Sequence, residues 1–125
     1  MIGFDLNREY LLTANQRMHW ALKANRTRYI RDTSAAWTSR YKGPKPATPC
    51  RCIVTFGFPD NRRRDSQNLQ PTAKAIVDGL VDAGLIPDDS TKYLVGVDTR
   101  IVHTEDVRPG RIAVHITFEA EEATA

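Results

Sequence analysis

Two acidic loops flank one short amphipathic stretch of this sequence. The first, Arg62-Arg63-Arg64-Asp65-Ser66-Gln67-Asn68, sets a carboxylate directly after a run of arginines. The second, Gly84-Leu85-Ile86-Pro87-Asp88-Asp89, ends on a carboxylate pair. Carboxylates drawn together repel one another unless positive charge sits between them, and a hard divalent cation with oxygen ligands supplies it. Arginines beside such a group suit a polyanionic substrate. The pattern therefore points to metal-assisted chemistry on a nucleic-acid backbone. The competing interpretation is that Asp65 caps a turn and Asp88-Asp89 is a solvated loop. Spacing does not separate the two, because a helix of about a dozen residues is roughly 18 Å long. Its ends meet only if the flanking strands bring them together.

Other reactive side chains carry less. Lys74 and Asp78 stand four apart on one side of the intervening helix, away from its apolar centre. They make either a surface ion pair worth roughly a few tenths of a kcal/mol, or a lysine near a metal that steadies charge on a phosphate oxygen. His19, His103 and His115 show no ligand spacing, and His115 alternates with Val114 and Ile116 on the polar side of a strand. Cys50 and Cys52 point to one face of a strand, a poor geometry for a disulfide and too few ligands for zinc, so they read as packing residues. There is no G-x-S-x-G elbow, no phosphate-binding P-loop and no dinucleotide glycine pattern, so serine-nucleophile and NTPase readings have little support.

The elements that must position these residues follow from periodicity. Residues 2–12 predict a short strand or hairpin edge. Thr13-Ala14-Asn15-Gln16 has capping-box spacing, and a long basic helix is expected after it, up to Tyr41, with Met18, Leu22, Tyr29, Ala36 and Trp37 as its apolar stripe. Gly43-Pro44-Lys45-Pro46 ends it. Residues 50–58 alternate as a central strand. Pro71 opens a second helix with core positions Ala73, Ile76, Val77 and Leu80, and Gly84 closes it as a left-handed cap. Residues 92–103 and 111–119 are two further strands, joined by a turn at Arg108-Pro109-Gly110. The order β-α-β-α-β-β predicts an α+β fold, a single mixed sheet with two main helices.

A chain of 125 residues with this composition is one globular domain, expected over 1–120, with 121–125 as a frayed tail. Net charge is only +3, yet basic residues far outnumber acidic ones between Arg17 and Arg64, and this half favours an anionic partner. No apolar run approaches a membrane span and no secretory h-region is present, so the expected location is the cytoplasm, with no membrane partner.

Read in order, Arg63-Arg64-Asp65-x-x-Asn68, then Lys74-x-x-x-Asp78-Gly79-Leu80-x-x-Ala83-Gly84-Leu85, then Asp88-Asp89 resemble the RusA family of Holliday-junction resolvases. These are small endodeoxyribonucleases common in phages and prophages. The opening Leu12-Thr13-Ala14-Asn15-Gln16-Arg17-Met18-His19-Trp20 is similar to phage members. The resemblance implies catalysis by Asp65, Lys74 and Asp89. It implies Mg²⁺, with Mn²⁺ as a substitute, held by Asp65 and Asp89 with Asp88 alongside. DNA contacts are implied at Asn15, Arg17, Arg62, Arg63, Arg64 and Asn68. A homodimer would cut a four-way junction by paired nicks that leave 5′-phosphate and 3′-hydroxyl ends.

One departure stands out. Gln67 occupies the position of a second aspartate in the family, and the segment from Asn68 to Lys74 is longer than in the enteric prophage member. The Gln67 amide oxygen can still ligate a metal but brings no charge, so Mg²⁺ affinity should fall unless Asp88 or Asp78 turns inward. The rival expectation is a non-catalytic or weakly catalytic branched-DNA-binding protein on the same fold.

Overall fold

The computed structural model describes residues 2–121. The alternating apolar run Cys50–Phe58 forms the strand β2, and it is central, as its pattern predicts. Around it lie β1 (Ile2–Asn7), β3 (Leu94–His103) and β4 (Arg111–Ala120), in the order β1-β4-β2-β3. β3 runs parallel to β2, whereas β4 is antiparallel to both β2 and β1. The result is one mixed sheet. A parallel β2–β3 pair needs a crossover, and helix α2 (Gln70–Asp82) supplies it. Helix α1 (Trp20–Ser39) packs against α2.

Register sorts the side chains. Cys52, Val54 and Phe56 stand opposite Phe118, Ile116 and Val114 on β4, and Ile2, Phe4 and Leu6 of β1 continue the same face. This face is the core against α2, which buries Ala73, Ile76, Val77 and Leu80 as expected. Both cysteines are buried and unpaired, and desolvation pushes the Cys52 thiol up to about 12, so it remains a neutral packing group. Gly84 takes φ 79°, the left-handed cap its position requires.

The first helix departs from the sequence reading. Thr13 N–H does donate to Gln16 Oε1 at 3.0 Å, but the contact closes a turn, and α1 starts only at Trp20, with His19 Nδ1 accepting from Ala21 N–H. Its buried residues are Ile30, Ser34 and Thr38 rather than the larger stripe residues, and Leu22 and Trp37 are exposed. The cause is a close helix–helix approach. Ser34 Oγ donates to Ile76 O at 2.8 Å, and a Cβ placed on Gly79 would lie 2.5 Å from Arg31 O and 2.9 Å from Ala35 N. Large side chains have no room at this crossing. Gly79→Ala should therefore push the helices apart and cost roughly 1–3 kcal/mol, read as a lower denaturant midpoint; an unchanged midpoint would mean that the crossing yields freely.

The remaining histidines fill the surface roles expected of them. His103 Nε2 lies 3.2 Å from Pro59 O, and His115 is exposed on the open side of the sheet. Glu121, first residue of the expected tail, donates its N–H to Pro49 O and accepts from Arg51 through its carboxylate. Residues 122–125 lie outside the described range.

Candidate active site

Asp65 does cap a turn. Its Oδ1 accepts from Gln67 N–H at 3.0 Å and opens the 3-10 turn Ser66–Leu69 that leads into α2. The turn is pinned from two sides. Thr99 Oγ1 of β3 donates to Ser66 O at 2.8 Å. On the other side Ala14 N–H donates to Asn68 O at 3.0 Å. One step further in, the buried Thr72 hydroxyl accepts from Leu12 N–H at 2.8 Å and donates to Leu12 O at 2.7 Å. Segment 11–16 is thereby stitched to the start of α2.

Between that segment and the arginine run lies an open concavity of about 430 Å³. Arg8, Thr13, Arg62, Arg63, Asp65 and Asn68 are among its walls, with Phe58 and Leu69 beneath. Arg62 and Arg63 are exposed. Arg64 instead lies over Phe58, its guanidinium carbon 3.9 Å from the ring centroid. Asp60 fixes it there through an ion-pair contact of 2.7 Å and a hydrogen bond of 3.1 Å. Those bonds from Arg64, with Arg62 N–H and Arg8 in support, hold the Asp60 carboxyl well below the usual carboxylate range.

Asp89 sits with Lys74, whose Nζ is 3.4 Å from Asp89 Oδ2 and 3.6 Å from Asp78 Oδ1. Lys74 lies one turn into α2, so the loop after Gly84 runs back along the helix. Asp89 thus stands beside the first half of α2, not at its far end. Helix length therefore does not part Asp89 from Lys74, although Asp65 and Asp89 line different concavities. The hydrogen bond from Lys74 lowers the Asp89 pKa, and the carboxylate is charged at neutral pH. Asp88 supports the same loop by accepting from Asp89 N–H at 2.7 Å. Gln70, Lys74, Asp89 and Val97 line a concavity of about 260 Å³. Gln70 and Val97 also line the next one, of about 520 Å³, together with Gln67 and Asp98.

The expected residues are thus grouped in part. Asp65, Asn68 and the arginines share one concavity, Lys74 and Asp89 share another, and Gln67 faces Asp98 in a third. Asn15 and Arg17 are exposed on the loop before α1 and line none of these. Among the described residues, no three carboxylate, imidazole or thiolate groups gather into a ready cation cage. The donors still fit a hard cation in kind, because all are oxygens, and Mg²⁺ commonly takes only one or two carboxylates with waters and substrate phosphate completing its shell. Sequence reasoning missed Arg8, Asp60 and Asp98. Only Asp60 left a local signal, four residues before Arg64; the other two reach the site through the sheet.

Comparison with known proteins bears on this arrangement. No family model matches the chain. Over 76 residues, 61% of its length, the chain is 37% identical to the crossover junction endodeoxyribonuclease RusA of Escherichia coli K12, and equally to those of Shigella sonnei and Enterobacteria phage 82. Over that stretch the chain is similar to RusA proteins. The match spans 58% of the length of these curated relatives. The mixed four-stranded sheet with two helices is consistent with a RusA-like fold, and the resemblance read from the motifs is upheld by the names of the relatives.

Proposed function

We propose that this RusA-like chain is a divalent-cation-dependent endodeoxyribonuclease that resolves four-way DNA junctions. The observation that carries the reading is the return of Asp89 to the first half of α2. There it bonds Lys74, on the helix that the Asp65 turn and its arginine-lined concavity lead into. The names of the matched relatives, crossover junction endodeoxyribonucleases, supply the substrate class.

Asp65 and Asp89 would hold Mg²⁺ or Mn²⁺, with Asp88 and Gln67 as neighbouring oxygen donors. When bound, such an ion lowers the pKa of a water and polarises the scissile phosphate. Lys74 carries its ammonium beside Asp89, where it offsets negative charge that builds on phosphate oxygens. Exposed Arg62 and Arg63, with Asn15 and Arg17 on the opposing loop and Asn68 in the wall, bind the DNA backbone. Such contacts are salt-dependent and nearly blind to sequence. A four-way junction has two-fold symmetry, so a C2 homodimer presents one site to each of two opposing strands. A strict monomer at micromolar concentration by light scattering would remove the paired-nick mechanism. The proposed working location is the cytoplasm, that of the host if the chain is phage-encoded; no helix of the described residues is long and apolar enough to cross a membrane.

Gln67 weakens the charge at this site. Gln67→Asp should lower the Mg²⁺ concentration for half-maximal cleavage, by roughly tenfold if one added carboxylate contributes about 1.4 kcal/mol to the ion. An unchanged or higher requirement would show that position 67 does not meet the metal.

The decisive assay incubates a labelled four-way junction with the protein in Mg²⁺, Mn²⁺ or EDTA. Product in both metals and none in EDTA supports the reading. A second reading is favoured by Gln67 and by the absence of a three-carboxylate cluster among the described residues: a branched-DNA-binding protein with weak or no catalysis. It predicts salt-sensitive binding and no metal-dependent product.

A further inference from the structure

An aspartate beside a run of arginines on a DNA-binding surface should weaken binding, since it repels phosphate. Asp60 occupies that place at the end of β2, and its contacts are unlike those of a bystander. Its carboxylate accepts from Arg64 Nη2 at 3.1 Å, from Arg8 Nη2 at 3.2 Å and from Arg62 N–H at 3.1 Å, and it makes an ion pair with Arg64 Nη1 at 2.7 Å. Arg8 arrives from the far end of β1. Both guanidinium groups lie over one ring: Arg64 at 3.9 Å and Arg8 at 5.4 Å from the Phe58 centroid. Phe58 itself is buried, so the ring is a fixed floor. One carboxylate against two guanidiniums leaves the cluster positive.

We propose that Asp60 is a positioning residue that strengthens DNA binding, by holding Arg64 and Arg8 in a preset array at the mouth of the Asp65 concavity. This rests on the proposed function above in taking DNA as the ligand. A free arginine loses rotamer freedom when it grips phosphate, whereas a planar fork already locked in place loses less. Asp60 also fixes the backbone at Arg62, which sets the direction in which exposed Arg62 and Arg63 leave the surface. Neither effect is visible in net charge. The two accounts of Asp60, repulsive charge or scaffold, predict opposite signs.

The test is equilibrium binding of a labelled four-way junction and a linear duplex in EDTA, across a salt series, for wild type and Asp60→Asn. Positioning predicts binding weaker by roughly fivefold at fixed salt, and a log–log salt slope shallower by about 0.9 for one lost phosphate contact. Equal or tighter binding overturns the proposal, because removal of a negative charge alone gives that result. Arg64→Lys guards against a folding defect in Asp60→Asn, since it keeps the charge and loses the planar fork. Its binding should also weaken with a shallower slope, and wild-type binding would overturn the proposal. The two failures are separable. Wild type that prefers no junction, or makes no metal-dependent product, contradicts the proposed function, while the sign of the Asp60 effect is still read on whichever DNA is bound. Wild type that binds neither DNA contradicts both.

Discussion

Asp65→Asn should reduce junction cleavage by roughly 10²–10³-fold or more, the scale on which loss of a preorganised electrostatic group acts, while junction binding in EDTA stays close to wild type. The substitution is isosteric, and the local geometry makes it a clean probe. Asparagine keeps a side-chain oxygen that can accept from Gln67 N–H, the bond that caps the turn at 3.0 Å. What disappears is the charge. Asp65 is exposed on the wall it shares with Arg62 and Arg63, so no buried partner is orphaned. Single-turnover cleavage and a binding titration on the same junction give the two readouts. Loss of binding in parallel with cleavage would return Asp65 to a purely structural role as a cap.

Thr72→Val should destabilise the fold by roughly 2–5 kcal/mol, since each buried backbone group left without a partner costs about 1–3 kcal/mol. Valine matches the shape of threonine, so packing is nearly preserved. The hydroxyl is lost, and with it the partner of both Leu12 N–H and Leu12 O. Thr72 is fully buried, which leaves no water to replace it. Segment 11–16 should also come loose from α2, and Thr13 and Gln16 of that segment line the concavity. Denaturant unfolding measures the first effect. The second is a weaker grip on junction DNA by the folded fraction. A stability change under about 0.5 kcal/mol would mean that Leu12 finds other partners.

These two positions show what the sequence discloses and what it hides. β2, β4 and α2 are legible from their apolar spacing: Ile112, Val114 and Ile116 are fully buried while His115 and Thr117 are exposed, and Ala73, Ile76, Val77 and Leu80 keep helical spacing. The start of α1 is not legible. Thr13 and Gln16 make the bond their spacing predicts, but Leu12 and Ala14 are drawn onto Thr72 and Asn68, sixty and fifty-odd residues away in the chain. Tertiary bonds override a local cap there. The apolar stripe of α1 misleads for a related reason. A crossing built on Gly79 leaves room only for a small side chain, so Ser34 is buried there while Trp37 is exposed.

The candidate site divides in the same way. Residue types and order mark Asp65, Lys74 and Asp89, yet only the backward course of the loop after Gly84 brings Lys74 to Asp89. Arg8 reaches Asp60 because β1 ends near the exit of β2, with β4 between them in the sheet. No periodicity encodes that meeting. Asp98 faces the Gln67 concavity from β3 by register alone.

The proposed activity is the cutting of branched DNA at symmetric positions, with Asp65 and Asp89 at the scissile phosphate. It is tested most directly with a four-way junction labelled in turn on each of its four strands and incubated with Mg²⁺. Nicks are expected at matching positions in two opposing strands, sealed by DNA ligase without further processing and absent with Asp65→Asn. Binding without nicks, or nicks scattered over all four strands and over linear duplex alike, would contradict it.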